Sequence, residues 1–275
     1  MTQTRGDVAG YPPAVGRDVH LDMLHSDEQV DAATRLLWRV WNAKTPAERS
    51  AVIDRTLLRT LCHTQNYVVG AYREDRLIGC TVGFFGSRSP ARSPNSLYSF
   101  ISGVDQAQSN RGIGYAMKRH QRTWALERGI EMITWTFDPL VARNVYFNLC
   151  KLGADVVAYK PDFYGRLDDG LNTNQKTDRL LVEWDLRDSW VEQAMLDEHG
   201  GAKRFATLLP EAELISIPKD IGMLRETDPE FARRESEAAR DRFRSLMADG
   251  YRVAGMSRVR EYVLLPADVS AAYEA

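Results

Sequence analysis

The order of strand-like and helix-like segments predicts a mixed α/β fold, a sheet with helices packed against it. Three observations carry this. The apolar runs Tyr67–Tyr72 and Leu77–Phe85 are joined by the polar residues Arg73 to Arg76 and read as a β-hairpin. A further run, Leu97–Val104, leads through the glycine-containing turn Ser109–Gly114 into a helical stretch. Strand and helix then alternate through Ile130–Phe137, Val141–Leu152, Ala154–Tyr159 and Arg179–Trp184.

Taken in order, residues 1–16 are polar, contain Gly and Pro, and are expected to be a disordered lead-in rather than a signal peptide. Val19–Leu24 alternates as a short strand. Val30, Ala33, Leu37, Val40 and Trp41 recur at helical spacing, which predicts a helix over Asp27–Asn42. Thr45-Pro46-Ala47-Glu48 combines a capping box with proline at the first helical position, and the helix it opens is expected to run to about His63. Ser87–Asn95, rich in Ser, Pro and Arg, reads as a loop. Gly129 supplies the stop for the helix that begins at Ser109–Gly114.

From Trp190 onward the pattern changes. Leu214–Ile217 reads as a short strand, and a helix follows from Pro229 to about Met247, capped by Asp228 and stopped by Gly250. Tyr251–Met256 and Arg260–Leu265 then form a strand pair. The full order is β-α-α-β-β-β-α-β-α-β-β followed by β-α-β-β, with no internal repeat. The chain is accordingly divided into the lead-in, a main domain over residues 17–190, and a C-terminal β-α-β-β extension over 191–275.

Composition narrows the partners. The 275 residues are 44% hydrophobic and 27% charged, ordinary for a globular protein, and the formal net charge is −2. That balance gives no general attraction to nucleic acid or to an anionic membrane, so any polyanion site must be local. No stretch approaches the length of a membrane span, and a cytoplasmic location is expected. Cys62, Cys80 and Cys150 are widely spaced and suggest neither a disulfide framework nor a zinc site, so no metal is expected.

The turn at Ser109–Gly114 carries the most chemical information. Gly112 and Gly114 have no side chains, so a bulky anion can approach the backbone. Unpaired amides and the helix dipole favour negative charge at such a helix start. Arg111 supplies a mobile cation, and Lys118, Arg119 and Arg122 read as a basic strip continuing from it. A pyrophosphate suits the site. There is no GxGxxG, which disfavours a dinucleotide fold, and no Gly-Lys-Ser/Thr, which rules out a P-loop.

The run Gly103–Gly114 (GVDQAQSNRGIG) resembles the acetyl-CoA loop of the GNAT (Gcn5-related N-acetyltransferase) superfamily, usually R/Q-x-x-G-x-G/A. Asn144–Ala154 (NVYFNLCKLGA) resembles the next helix of that superfamily, which normally ends as LYEKLGF, and the hairpin over Tyr67–Phe85 matches its preceding strands. The resemblance covers about Val19 to Leu186. Trp135–Leu140 (WTFDPL) and Asp178–Trp184 (DRLLVEW) further resemble a bacterial subgroup, some of whose members are linked to N-acyl amino acid metabolism, including succinyl transfer.

The resemblance implies a mostly antiparallel central sheet flanked by helices, and an enzyme in which an amine attacks an acyl-CoA thioester directly. Acetyl-CoA or succinyl-CoA would be the donor, and a small amine or amino acid the acceptor. Ser102, Gly103 and Val104 would hold the pantetheine arm on a strand that splays from its neighbour. Ser109, Asn110, Arg111, Gly112, Ile113, Gly114 and Tyr115 would bind the diphosphate, while Asn144 and Phe147 match positions that often contact the cofactor, with helix packing as the alternative for either. Ser109 stands where the family has Arg or Gln, Asn110 where a glycine is common, and Leu149 where a tyrosine usually protonates the leaving thiolate. Asp138, at a strand end, is the first candidate for proton acceptor, with capping of the next helix or fixing of the Asp-Pro turn as its alternative. Tyr146 is the candidate replacement acid, with packing as its alternative, and Tyr164 is a weaker candidate.

Other residues read as structure. His120 shares an apolar stripe with Ile113, Met117 and Trp124, and Trp38, Trp41 and Trp124 suit a core. Cys150 has no histidine partner in sequence context. Arg88 and Arg92 suit solvated surface, or contact with an acidic acceptor or succinyl carboxylate. The charged helix of the extension suits a solvated face, a cover over the acceptor pocket or a homodimer contact. Two other functions stay open: a non-catalytic acyl-CoA sensor, motivated by Ser109 and Leu149, and acylation of protein lysines.

Overall fold

The computed structural model describes residues 18–86, 96–165, 176–197, 203–207 and 209–269. The expected lead-in and the Ser87–Asn95 loop, with Arg88 and Arg92, lie outside them. In chain order the elements are β1 (Val19–Met23), α1 (Asp27–Val40), α2 (Pro46–Val52), α3 (Arg55–His63), β2 (Tyr67–Arg73), β3 (Arg76–Gly86), β4 (Ser96–Val104), α4 (Ile113–Leu126), β5 (Met132–Phe137), α5 (Ala142–Val145), β6 (Asp155–Lys160), β7 (Arg179–Asp185), α6 (Ser189–Leu196), β8 (Glu213–Ile215), α7 (Ile221–Thr227), α8 (Pro229–Ala248), β9 (Tyr251–Met256) and β10 (Tyr262–Pro266).

Seven strands form one sheet in the order β1-β2-β3-β4-β5-β7-β6, and three form a second, β8-β10-β9. Every pairing is antiparallel except β4 with β5. The mixed, mostly antiparallel sheet flanked by helices is the expected class. Because successive strand residues face opposite ways, neighbours on β2 enter different cores. Val68 joins the α1–α3 side with Leu37, Leu58 and Val82, whereas Tyr67 and Val69 join the α4–α5 side with Trp124, Ile133 and Leu149. The second core continues into the extension through Phe243, Leu246 and Tyr262, so the two sheets share buried apolar surface.

Four elements differ from expectation. The helix opened by Thr45 stops at Val52, since Ile53 is extended (φ −165°), and Asp54 caps a new helix by accepting from the amides of Thr56 and Leu57. The capping box itself is present as expected. α6 and α7, each short, were not anticipated; Asp188 and Asp220 cap them. Beyond α5 the helix continues as a π-helical turn over Tyr146–Lys151, in which the Leu152 amide reaches back to Phe147 O at 3.0 Å.

No described helix is long and apolar enough to cross a membrane.

Candidate active site

The parallel pair β4–β5 is short. It registers Ser96 with Met132, Leu97 with Ile133 and Tyr98 with Thr134, then stops, although both strands continue. Phe100 is skipped in the register of β4 with β3, where Val82 faces Ile101 and Gly83 faces Ser99. Such a bulge bends its strand. The sheet therefore opens as a wedge after Tyr98 and Thr134, and leaves backbone groups of Phe100–Val104 and Trp135–Phe137 without partners on each other.

β4 leads to the start of α4 through a short turn in which Asn110 (φ 62°) and Gly112 (φ 78°) are left-handed. Helices α1, α2, α3, α6, α7 and α8 are each capped by an accepting side chain, of Ser26, Thr45, Asp54, Asp188, Asp220 and Asp228. The start of α4 has no side-chain cap. Its first-turn amides, those of Ile113, Gly114 and Tyr115, thus call for an acceptor from outside the helix.

The expected site residues divide. Asn110, Arg111 and Gly112 are exposed at this turn, and Ser109 and Gly114 are half-buried. Ile113 and Tyr115 are buried, and the Tyr115 hydroxyl donates to Ala194 O of α6 at 2.5 Å, so only their amides face the turn's chemistry. Ser102 lies exposed on β4 with its hydroxyl 2.7 Å from that of Thr81; Gly103 is buried under α1 and Val104 half-buried. Asn144 and Phe147 are half-buried on the helix after β5.

The basic strip needs correction. Lys118 is not at the surface: with Tyr115, Gln121 and Ala125, three or four residues apart, it occupies the buried face of α4. Its Nζ donates to Ser99 Oγ and Gln121 Oε1, both at 3.0 Å, and lies 3.8 Å from the Trp135 ring centroid. Burial pulls its pKa down to about 7. Arg122 is also turned inward, donating to Leu186 O at 2.7 Å. His120 is buried as expected, with Nδ1 2.9 Å from the Tyr67 hydroxyl, and burial lowers it to about 4. Burial likewise raises the Cys150 thiol, to about 12.

The two expected catalytic residues are engaged elsewhere. Asp138 Oδ1 accepts from the Leu140 amide at 2.9 Å, and Oδ2 accepts from Arg225 of α7 at 2.7 Å. Both oxygens are thus committed, one of them to the Asp-Pro turn. Tyr146 opens the π turn, half-buried, with its ring 6.2 Å from that of Phe205. Leu149 is 6% exposed and belongs to the core.

What the wedge does bring together is a cluster of hydroxyls that the sequence pattern had not grouped. The Tyr164 hydroxyl stands 3.0 Å from Thr136 Oγ1 and 3.4 Å from the Tyr98 hydroxyl, and Tyr98 and Thr136 are themselves 3.4 Å apart. Tyr98 is the last β4 residue paired with β5, so the cluster sits at the opening itself. Burial pushes the Tyr98 hydroxyl up, which keeps its proton in place. Tyr164 reaches the cluster from the loop after β6, which is pinned to the start of β7: Tyr164 N donates to Thr177 Oγ1 at 3.0 Å and Asp162 N to Asp178 Oδ1 at 2.9 Å. A period-2 or period-3.6 pattern carries no signal for a contact made through a loop.

An N-acetyltransferase from Staphylococcus aureus Mu50 has a similar structure, with a TM-score of 0.50 at 12% identity, spanning 62% of this chain and 99% of that one. The chain has the GNAT acetyltransferase fold. The ribosomal-protein-S18-alanine N-acetyltransferase from Escherichia coli gives a TM-score of 0.49 at 12% identity over 61% of this chain and 94% of that one. No protein-family model matches the chain, and no curated protein matches it. Among the described residues no group of three or more His, Cys, Asp or Glu side chains is placed to hold a metal ion.

Proposed function

We propose that the protein transfers an acyl group from coenzyme A to an amine. One observation carries this reading: the wedge between β4 and β5 opens where β4 leads to the start of α4, a helix start that no side chain caps. A diphosphate would accept from the amides of Ile113, Gly114 and Tyr115, with Arg111 close by in sequence as a counter-charge. Gly112 and Gly114 leave room for it. An extended pantetheine arm would take the free backbone groups of β4 from Ser102 to Val104, as an added strand does at a sheet edge. Asn144 and Phe147, half-buried on the helix after β5, would contact the cofactor. The donor is acetyl-CoA or succinyl-CoA, the acceptor a small amine such as an amino acid, and the compartment the cytoplasm.

Direct attack requires alignment of the amine, loss of its proton and a proton for the departing thiolate. The bonds of Asp138 favour an anchoring role over proton acceptance, and the packing of Tyr146 against Phe205 favours a structural one. The proton supply is assigned instead to Tyr164, whose hydroxyl is linked to Thr136 and Tyr98 at the wedge. Residues 17–190 form the transfer domain in this reading, and residues 191–275 brace it.

Isothermal calorimetry with CoA and acetyl-CoA, followed by thiol release with an amine panel, tests the reading. Micromolar binding and thiol release above the uncatalysed rate are expected. Binding without release for any donor and acceptor would favour the sensor alternative; no heat with either thioester or CoA would remove the reading altogether.

A further inference from the structure

Arg179 is a feature of the wedge that the acyl-transfer reading leaves without a task. It is the first residue of β7 and only 8% exposed. Its Nη1 donates to the Asp178 carbonyl at 2.8 Å, and its guanidinium carbon stands 5.4 Å from the centre of the Tyr164 ring. Among the described residues no carboxylate pairs with it and neither Nε nor Nη2 has an acceptor. A buried guanidinium is costly unless paired and hydrogen-bonded.

The neighbouring carboxylate is not available to it. Asp178 accepts from Arg240 Nε and Nη2, both at 2.8 Å, from the Tyr159 hydroxyl at 2.6 Å and from the Asp162 amide at 2.9 Å. With those four contacts its lone-pair directions are filled. The charge of Arg179 is therefore left for a partner from outside, next to a hydroxyl that can donate to the same anion. β7 pairs with β5, Thr136 with Leu181 and Phe137 with Leu180, so Arg179 continues the strand face that carries Thr136 and Leu181.

We propose that Arg179, with the Thr136 hydroxyl, forms a carboxylate-binding site at the mouth of the wedge, so that one of the two reactants carries a carboxylate. The inference rests on the acyl-transfer reading and deepens it. A planar guanidinium with a free Nε and Nη2 edge suits a two-point contact with a carboxylate, which an ammonium cannot reproduce. The carboxylate comes either from an amino-acid acceptor or from the free end of a dicarboxylic acyl group, and the two sources separate experimentally.

The test compares wild type, Arg179→Met and Arg179→Lys with amino acids against their C-terminal amides as acceptors, and with succinyl-CoA against acetyl-CoA as donors. In wild type kcat/KM favours the carboxylate-bearing member of one of the two comparisons. Arg179→Met is expected to reduce that preference by about 10- to 100-fold, and Arg179→Lys by less. The comparison that collapses names the source. A circular dichroism melt of each variant confirms that it is folded; should Arg179→Met unfold, the Lys variant and Thr136→Val give the same readout. Equal loss for charged and neutral substrates, or no carboxylate preference in wild type, would overturn the site while acyl transfer stood. Absence of both CoA binding and thiol release in wild type would instead bring down the underlying reading.

Discussion

Arg240 of α8 and Asp178, the residue before β7, form a two-pronged pair, Nε to Oδ2 and Nη2 to Oδ1, each 2.8 Å, with side chains 11% and 9% exposed. Burial alone would raise the Asp178 carboxyl, but Arg240, the Tyr159 hydroxyl and the Asp162 amide outweigh it and hold it below the usual carboxylate range. The pair joins the extension to the point from which the Tyr164 loop is hung. The charged helix that suits a solvated face by composition thus also braces the wedge from behind.

Arg240→Met should leave Asp178 buried and unpaired, and cost roughly 3–5 kcal/mol in urea unfolding. The double variant Asp178→Asn, Arg240→Met should recover part of that loss. With its folded pKa depressed, Asp178 stabilises the protein above its unfolded pKa, near 4, and that contribution is lost as pH falls through the folded value. An Arg240→Met protein as stable as wild type would show that the clamp contributes nothing.

A Cβ built at Gly114 meets nothing within 4 Å, and the residue lies in the first turn of α4 with no left-handed angle. The fold has no need of glycine there. Gly114→Val should therefore keep the melting temperature within a few degrees while weakening CoA binding by at least about tenfold, or 1.4 kcal/mol, by calorimetry. Unchanged affinity would place the diphosphate elsewhere.

Much of this was legible in the sequence, for identifiable reasons. Thr45-Pro46-Ala47-Glu48 is a local signal, and the capping box it predicts is present. The hairpin turn at Glu74, left-handed at φ 52°, falls where the polar break between two apolar runs requires it. Lys118 was misplaced because charge argues for the surface, and only the 115-118-121-125 spacing argues otherwise. Asp54 broke a helix that looked continuous because an acidic cap inside an apolar-periodic stretch reads equally well as an exposed position. The Tyr98–Thr136–Tyr164 cluster and the freedom of Arg179 had no local signature. They depend on where one strand pairing ends and on which partners a carboxylate 62 positions from Arg240 has already taken.

Lys118 gives a pH signature with a definite sign. Burial lowers its pKa from an ordinary lysine value to about 7. Between pH 7 and about 10 the unfolded chain carries a proton there that the folded protein has lost, so stability rises with pH over that window. Below pH 7 both states are charged and the burial penalty is felt in full. Comparison with Lys118→Met isolates the effect: the difference in unfolding free energy between variant and wild type should shrink as pH rises from 7 to 9, with a slope approaching about 1.4 kcal/mol per pH unit. A pH-independent difference would mean that the ammonium stays charged beside Trp135.

The proton supply separates two tyrosines that the sequence alone could not rank. Tyr146 starts the π turn and packs on Phe205, whereas the Tyr164 hydroxyl lies within 3.4 Å of both Thr136 and Tyr98 at the wedge. Removing a general acid typically costs 10²–10⁴ in rate. Tyr164→Phe should lower kcat by about a hundredfold with CoA affinity unchanged, since its ring and its seat on Arg179 remain. Tyr146→Phe removes no described hydrogen bond and should change kcat by less than about threefold. The loss in Tyr164→Phe should also shrink with an aryl thiol as leaving group, which departs without a proton. A deep defect in Tyr146→Phe with a normal Tyr164→Phe would exchange the two roles and move the reacting sulfur toward α5.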